Sequence, residues 1–526
     1  MANKVALYTH TLKYLKPTQV KYRLYYLLRN KLAGKSLCKL MAAAELAPAR
    51  ALQWPLLLTN NASFDGAFAF TFLNKPQHFK NSIDWNFDAF GKLWTYNLCY
   101  FDFLLQPSVN VEKAVALMQD YVQQYDHLKD GHEPYPTSLR LMNWIKFVAL
   151  HEVDSGEIHR AIQTDLARLR VNLEWHLMGN HLLENGFALL FGGCYLDDRS
   201  VVNEAIQILE AQLEEQILAN GAHFELSPMY HQTLLGRVLD CINLLANNPT
   251  EGTAEFLTLL QAKASKMVGW LQAITFSNGD IPHVNDSVDG IAPNTGTLLD
   301  YARKLGIVIE QQELGVCGYR KFHRPDFELL VDVGNIGPNY IPGHAHSDTL
   351  NFVLFHKGQP LIVDTGISTY EKNQQRQSER STTAHNTVMV ANQDQSQVWG
   401  GFRVACRAES KVLSTDENQI TASHNGYQSL GVVHQRTFDC GQESVIITDQ
   451  LSQSFHSEAF LHFHPNVTVQ VTGNRISGDF GTISFEGSDS IQTNTYQYAF
   501  GFNKTAAATL VTITFFSDLK TTIQFA

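Results

Sequence analysis

At 526 residues the chain is too long for a single hydrophobic core and fits two or three domains. Its 44% hydrophobic and 11% aromatic content excludes a disordered polymer, and no apolar run reaches the ~20 residues needed to cross a bilayer. The net charge of −11 hides an asymmetry, because nine Lys or Arg and no acidic residue precede Glu45.

In chain order, residues 17–32, within LKPTQVKYRLYYLLRNKL, read as a basic amphipathic helix. Its plain reading is a solvated face; its functional one is contact with a membrane surface or an anionic polymer. No charged segment followed by an apolar one marks a secretory leader. The chain therefore reads as cytoplasmic, or as periplasmic or secreted if a leader has been removed. From about 17 to 310 the apolar spacing is helical. It predicts helices over 17–32, 111–126, 138–152, 156–177, 181–194, 201–219, 231–247 and 252–275, joined by short turns. Helices of similar length in simple succession pack as hairpins, in a bundle or an α/α toroid.

Polar and aromatic clusters interrupt these helices. Asn97 and Tyr100 fall in LWTYNLCYFDFLL, and Arg140, Asn143 and Trp144 in HEPYPTSLRLMNW. Either these are aromatic core with a satisfied arginine, or they line a cleft where rings stack on sugars and Arg or Asn holds a carboxylate. In LEWHLMGNHLLENGFALLFGG, Gly179 is expected to end one helix and Asn180 to cap the next. Asn180 and Glu184 then share one face, with His181 and Asn185 on the adjacent one. Four polar groups in one turn of an otherwise apolar helix need partners. Further on, Ser227-Pro228 opens a helix with Tyr230 and His231 in its first turn. There the helix dipole favours a tyrosinate and a neutral imidazole, which makes Tyr230 a candidate proton-transfer group. Asn285-Asp286 supplies a further polar loop, in GDIPHVNDS.

From about 322 the pattern changes to short β-rich runs, FELLVDV, TLNFVLF, TVMVA, RTFDC, SVIITDQL, TVQVTG, TISFEG and ATLVTITFFS. Their spacing predicts an antiparallel β-sandwich. The change falls within 305–322 and sets the domains at 1–315 and 316–526. The stretch Ile341–Tyr370 opens on His344, His346 and Asp348 and continues into a strand apolar on both faces. Such a strand is buried on both sides, so the polar cluster at its mouth lies at the edge of a packed layer. His385 and, in VWGGFRV, Trp399 and Arg403 extend the polar chemistry. The seven cysteines, Cys38, Cys99, Cys194, Cys241, Cys317, Cys406 and Cys440, show no CxxC spacing and read as small core residues.

The runs GHAHSDTLNF, VDTGISTY, AHNTV and VWGGFRV resemble the C-terminal module of the heparinase II/III-like polysaccharide lyases. WTYNLCYFD, EPYPTSLRLMNW, GNHLLENGFAL, HFELSPMYHQ and IPHVNDS resemble the helical part of the same superfamily, in consistent order from about 90 to 405. The resemblance implies an N-terminal α/α toroid, an incomplete barrel of helical hairpins, followed by the sandwich, with a cleft between them. It also implies β-elimination on anionic uronic-acid polysaccharides: glycosaminoglycan, alginate or exopolysaccharide. Asn180, with His181, would neutralise the uronate carboxylate, while Tyr230 and His344 would exchange protons. Asn97, Tyr100, Arg140, Asn143, Trp144, Glu184, His231, Asn285, Trp399 and Arg403 would contact substrate. Members often carry a structural zinc, matching His346, Asp364 and His385 here. A plain hairpin about Gly358 puts Asp364 opposite Phe352, so the 342–348 loop has to curl back for that set to meet. No nucleic acid and no integral membrane segment are expected; the oligomeric state stays open.

Two other readings compete. His344-x-His346-x-Asp348 is also similar to the H-x-H-x-D-H run of metal-dependent hydrolases, although Thr349 stands where the last His would be. A lyase fold can also serve a non-catalytic polysaccharide-binding or assembly protein.

Overall fold

The computed structural model describes residues 4–41, 48–66 and 68–526, with residues 33–41 described by their backbone alone. Cys38 therefore lies outside the described side chains. The other cysteines are free; Cys406 is exposed, and only the remaining five are core residues as expected.

Helices of two kinds build the first part. Pro134–His151, Gly179–Tyr195 and Pro228–Asn247 pack on one another in turn, with Lys92–Tyr100 and Thr295–Lys304 at the two ends of the row. These inner helices are buried nearly all round: Pro136 to Val148 is buried without interruption, and in Gly179–Tyr195 only His181 is not. The outer helices Val111–Gln123, Gly156–Arg170, Arg199–Gln216 and Ala254–Ile274 back them. Gly156–Arg170 buries Ile158, Ala161, Ile162, Asp165, Leu166 and Leu169, the single stripe of a helix with one wet face. Alternating inner and outer helices form an incomplete α/α toroid.

Three short helices, Lys4–Leu12, Lys92–Tyr100 and Thr295–Lys304, were not expected from the sequence. The helix read over 156–177 stops at Arg170. Asn185 Oδ1 accepts the Glu174 amide at 2.7 Å, and Met178 takes φ 61°, so the chain turns before re-entering a helix at Gly179. Asn180 therefore lies inside the first turn rather than capping it, which corrects that expectation.

The toroid ends at Lys304 and the sandwich begins at Tyr319. Tyr319–His323, Phe327–Asp332, Phe352–His356 and Gln359–Ile362 form an antiparallel four-stranded sheet in that order. Its last strand leads, through Val363 N to His462 O (2.8 Å) and His464 N to Leu361 O (3.0 Å), into a second four-stranded sheet. An eight-stranded sheet faces them across a core that includes Leu329, Phe352, Leu354, Ile447, Ile513 and Ile523. The strand apolar on both faces now has its reason. Phe352 and Leu354 enter the sandwich core, whereas Val353 and Phe355 enter the toroid core, where Phe355 stacks on Phe276 at 3.9 Å. One sheet thus serves both domains and fixes the loop ahead of it, 341–349, over the open end of the toroid.

Candidate active site

The site assembles where that loop meets three toroid segments. Ser227 caps the Pro228–Asn247 helix by accepting the Tyr230 amide at 3.2 Å, and its hydroxyl donates to Asp286 O at 2.7 Å. One side chain thus ties the Tyr230 helix to the 285–287 loop. From that loop Asp286 accepts from His344 Nδ1 (2.7 Å), His346 Nε2 (2.9 Å) and both terminal nitrogens of Arg376 (2.6 Å from Nη2). Asp286, His346 and Arg376 are shut off from solvent. Although burial opposes it, Arg376 and the two imidazoles hold the Asp286 carboxyl well below the usual carboxylate range.

His344 lies against Tyr230, ring centroids 3.9 Å apart, and the Tyr230 hydroxyl is 3.2 Å from that of Tyr370. Among the described residues, His344 Nε2 has no hydrogen-bond partner, and Glu225 Oε2, buried and likewise unpartnered, stands 3.8 Å away. Burial raises the Glu225 carboxyl, with His344 and His181 opposing. Tyr230 departs from expectation. Burial first, then Tyr370, Tyr135 and Asp286, push its phenol well above 10, against the tyrosinate that the helix dipole was expected to favour. Desolvation outweighs the half-charge of a helix end.

Asn180 is buried in the first turn of its helix, near enough to Tyr135 to oppose the rise that burial imposes on its phenol. His181 donates from Nδ1 to Glu174 at 3.0 Å, and its side chain is 39% exposed. Burial lowers His181, but Glu174 more than offsets this and raises it. Tyr100 stands beside Tyr135, with centroids 6.2 Å apart. Glu184 is buried and paired with Arg237, Nε to Oε2 3.2 Å.

Several expected substrate contacts are placed elsewhere. Arg140 is fully buried and donates to Asp165 (2.7 Å) and Gly131 O (2.8 Å), so no guanidinium nitrogen is free for a uronate. Asn143 donates to Tyr100 O, and Trp144 packs edge-on against Phe101. His231 donates to Met267 O (2.9 Å) and accepts the His223 amide, with burial pushing it down to about 4. These four are core residues, which corrects their assignment. Asn97 bonds Leu93 O within its own helix. Asn285 is buried and structural: it donates to Leu226 O and Tyr319 and accepts the His346 amide. Trp399 donates to Thr11, and Arg403, which stays exposed, lies over Trp399 and Tyr8, so the Lys4–Leu12 helix packs beside this pair.

The loop does curl back. His346 and His385 rings are 5.2 Å apart, and His385 Nδ1 donates to Asp364 at 2.7 Å. His346 Nδ1 and His385 Nε2 are buried without partners, which suits imidazole metal donors. Asp364, however, is spent on His385 and Asn351, and among the described residues no three His, Cys, Asp or Glu side chains form a group that could hold a metal. The donor types fit zinc; a preformed three-donor group is not there.

The sequence reading placed Asp286 in a polar loop without giving it a role, and missed Arg376, Glu225 and Tyr370. Asp286 and Glu225 stand in the polar runs IPHVNDS and HFELSPMYHQ, and Tyr370 closes VDTGISTY, so a signal existed. Arg376 lies in EKNQQRQSER, which reads as a solvated surface.

The family model described as Heparinase II/III N-terminus matches residues 161–300, and Heparinase II/III-like, C-terminal matches 310–526; together they span more than half the chain. A heparin-sulfate lyase of Pedobacter heparinus is 23% identical over 303 residues, 49% of this chain and 42% of that protein. One from Bacteroides stercoris is 23% identical over 327 residues, 54% of this chain and 45% of that protein. The matches thus span less than half the length of these curated relatives. A crystal structure of heparinase III superposes with a TM-score of 0.68 at 14% identity, over 97% of this chain and 92% of that one. A heparan sulfate lyase from Pedobacter heparinus gives 0.55 at 16%, over 87% and 81%. At these identities the likeness shows the fold, a helical toroid followed by antiparallel sheets.

Proposed function

Because the chain belongs to the heparinase II/III-like family, we propose that it is a polysaccharide lyase that cleaves uronic-acid polymers by β-elimination, with heparan-type glycosaminoglycans the first substrates to test. The observation that carries this reading is the contact of Tyr230, from the toroid, with His344, from the sandwich loop, their ring centroids 3.9 Å apart.

Elimination breaks the C5–H bond of a uronate and the bond from C4 to the glycosidic oxygen, and forms a C4=C5 double bond. The C5 proton is weakly acidic, because the developing charge falls on a group that is already an anion. Asn180 and a protonated His181, which Glu174 favours, would offset that charge. Asp286 holds His344 by Nδ1, which leaves Nε2 as the atom to take the C5 proton. Tyr230, kept as a phenol by its surroundings, would give its proton to the departing oxygen. On uronates where proton and leaving group are syn, Tyr230 would serve both steps only after passing its own proton to His344, because a phenol cannot take the C5 proton. A structural zinc belongs to this proposal: His346, Asp364 and His385 would hold it, and it would fix the loop that carries His344.

The experiment is a panel of uronate polymers, sulfated and unsulfated, followed by ultraviolet absorbance and product mass. Unsaturated oligosaccharides, each lighter by one water than the hydrolytic product, are expected from at least one polymer. Saturated products would move the assignment to a hydrolase. Tight binding with no turnover would make the chain a polysaccharide-binding protein.

A further inference from the structure

The Pro17–Met41 helix is mounted with its polar face inward. Gln19 donates to Leu177 O at 3.0 Å, Tyr26 to Leu173 O, and Arg29 to Val171 O and Asn172 (2.6 Å), while Tyr22 stacks on Trp175. The residues that meet the toroid are thus the hydrogen-bonding ones. Those turned outward are aliphatic: Val20, Leu24, Leu27, Leu28 and Leu32 are 45%, 57%, 65%, 62% and 83% exposed. Their spacing of i, i+4, i+7, i+8 and i+12 puts them on one face. Lys21 and Lys31, both exposed, stand among them.

Such a face is unusual, because a surface helix normally buries its aliphatic stripe and wets its cations. Exposed aliphatic side chains in one continuous row mark an interaction site. The charge around the row narrows the partner. Nine cations and no acid precede Glu45 in a chain of net charge −11; Lys16 pairs with Glu215 and Arg29 turns inward, but the exposed Lys21 and Lys31 leave the outward face cationic, so it attracts polyanions. An anionic polysaccharide would account for the lysines but not for a row of leucines. A second copy paired face to face would set two acid-free cationic segments against each other. An anionic lipid surface answers both features: aliphatic side chains enter the acyl boundary while lysine ammonium groups remain at the phosphates. The helix need not span anything, and no helix among the described residues is long and apolar enough to do so.

We propose that the outward face of this helix docks the protein onto anionic bilayers. The test is co-sedimentation of the full chain with phosphatidylglycerol–phosphatidylcholine vesicles and with pure phosphatidylcholine vesicles, at low and at raised salt. Binding is expected to the mixed vesicles, to weaken with salt, and to be much poorer on phosphatidylcholine. The Leu24→Asp/Leu28→Asp and Lys21→Glu/Lys31→Glu variants should each lower partitioning by about tenfold or more with unchanged melting temperature, because all four positions are exposed. No vesicle binding by the parent overturns the proposal, as does binding that both variants retain. If vesicles are ignored but the leucine variant abolishes a concentration-dependent dimer, the face is an interface between copies. If a soluble polyanion is held instead and only the lysine variant loses it, the face is a polymer site; either result rejects the bilayer.

Discussion

Asp286 concentrates more of the site's chemistry than any residue the sequence singled out. It accepts from two imidazoles and from both ends of one guanidinium while shut off from solvent. Removing one member of a buried ion pair leaves the other charge without compensation, at about 3–5 kcal/mol. Asp286→Asn should therefore lower stability on that scale, and whatever still folds should turn over poorly, because His344 loses the acceptor that orients it. A variant that melts with the parent and keeps parental turnover would show that Arg376 and His344 find other partners. The imidazoles deeper in make a separate prediction. Material purified without chelator should hold one zinc per chain, and His385→Ala should lose it with a lower melting temperature. If elemental analysis finds no zinc and His385→Ala melts like the parent, His346, Asp364 and His385 are a hydrogen-bonded network only.

Among the elements, the apolar spacing began the Pro228–Asn247 helix at 231, three residues late, and its true start was legible only in Ser227-Pro228, a local signal whose hydroxyl does cap the Tyr230 amide. The run 156–177 was not, because Leu173 and Leu177 continue the helical spacing. The amides past Arg170 find partners outside the helical pattern, Asn172 on Leu169 O and Glu174 on Asn185 of the next helix. Arg376 stayed hidden for the same kind of reason: a polar run reads as solvated until a distant carboxylate, Asp286, takes its guanidinium into the interior. His231 was placed in the right turn and given a function its burial denies. Its Nδ1 accepts an amide and its Nε2 donates to a carbonyl, so it cannot take a second proton without losing a bond. Burial holds it near 4, against an ordinary value of about 6.5. The unfolded chain then takes up a proton below 6.5 that the folded chain refuses. The contribution of His231 is complete above 6.5 and drains away as the pH falls toward 4, by roughly 3 kcal/mol in all. Urea midpoints measured between pH 7 and pH 4.5 should fall, and His231→Gln should fall less steeply. Parallel pH profiles for the two proteins would assign the loss to other groups.

For the whole molecule, the sheet shared by both cores decides whether toroid and sandwich act as one unit. The sequence showed that Phe352–His356 is apolar on both faces; only the structure shows that the second face belongs to the toroid. Phe355 stacks on Phe276 across that boundary. Phe355→Ala should cost about 3–5 kcal/mol, as for other buried aromatics. Because it loosens the element that leads to His344, it should also depress turnover while parent and variant are both folded. Full turnover with the expected loss of stability would mean that the loop is held by Asp286 and its neighbours rather than by the sheet.

In the proposed mechanism a phenol from the toroid and an imidazole from the sandwich share proton transfer at one uronate. The most direct measurement is the initial rate of ultraviolet-absorbing product for Tyr230→Phe against the parent, on whichever polymer the panel selects. Removing that hydroxyl leaves the stacked ring and the helix cap in place, so the melting temperature should hold. Turnover should fall by at least about 100-fold, the scale of a lost proton-transfer group. Near-parental turnover in a well-folded Tyr230→Phe protein would contradict the account.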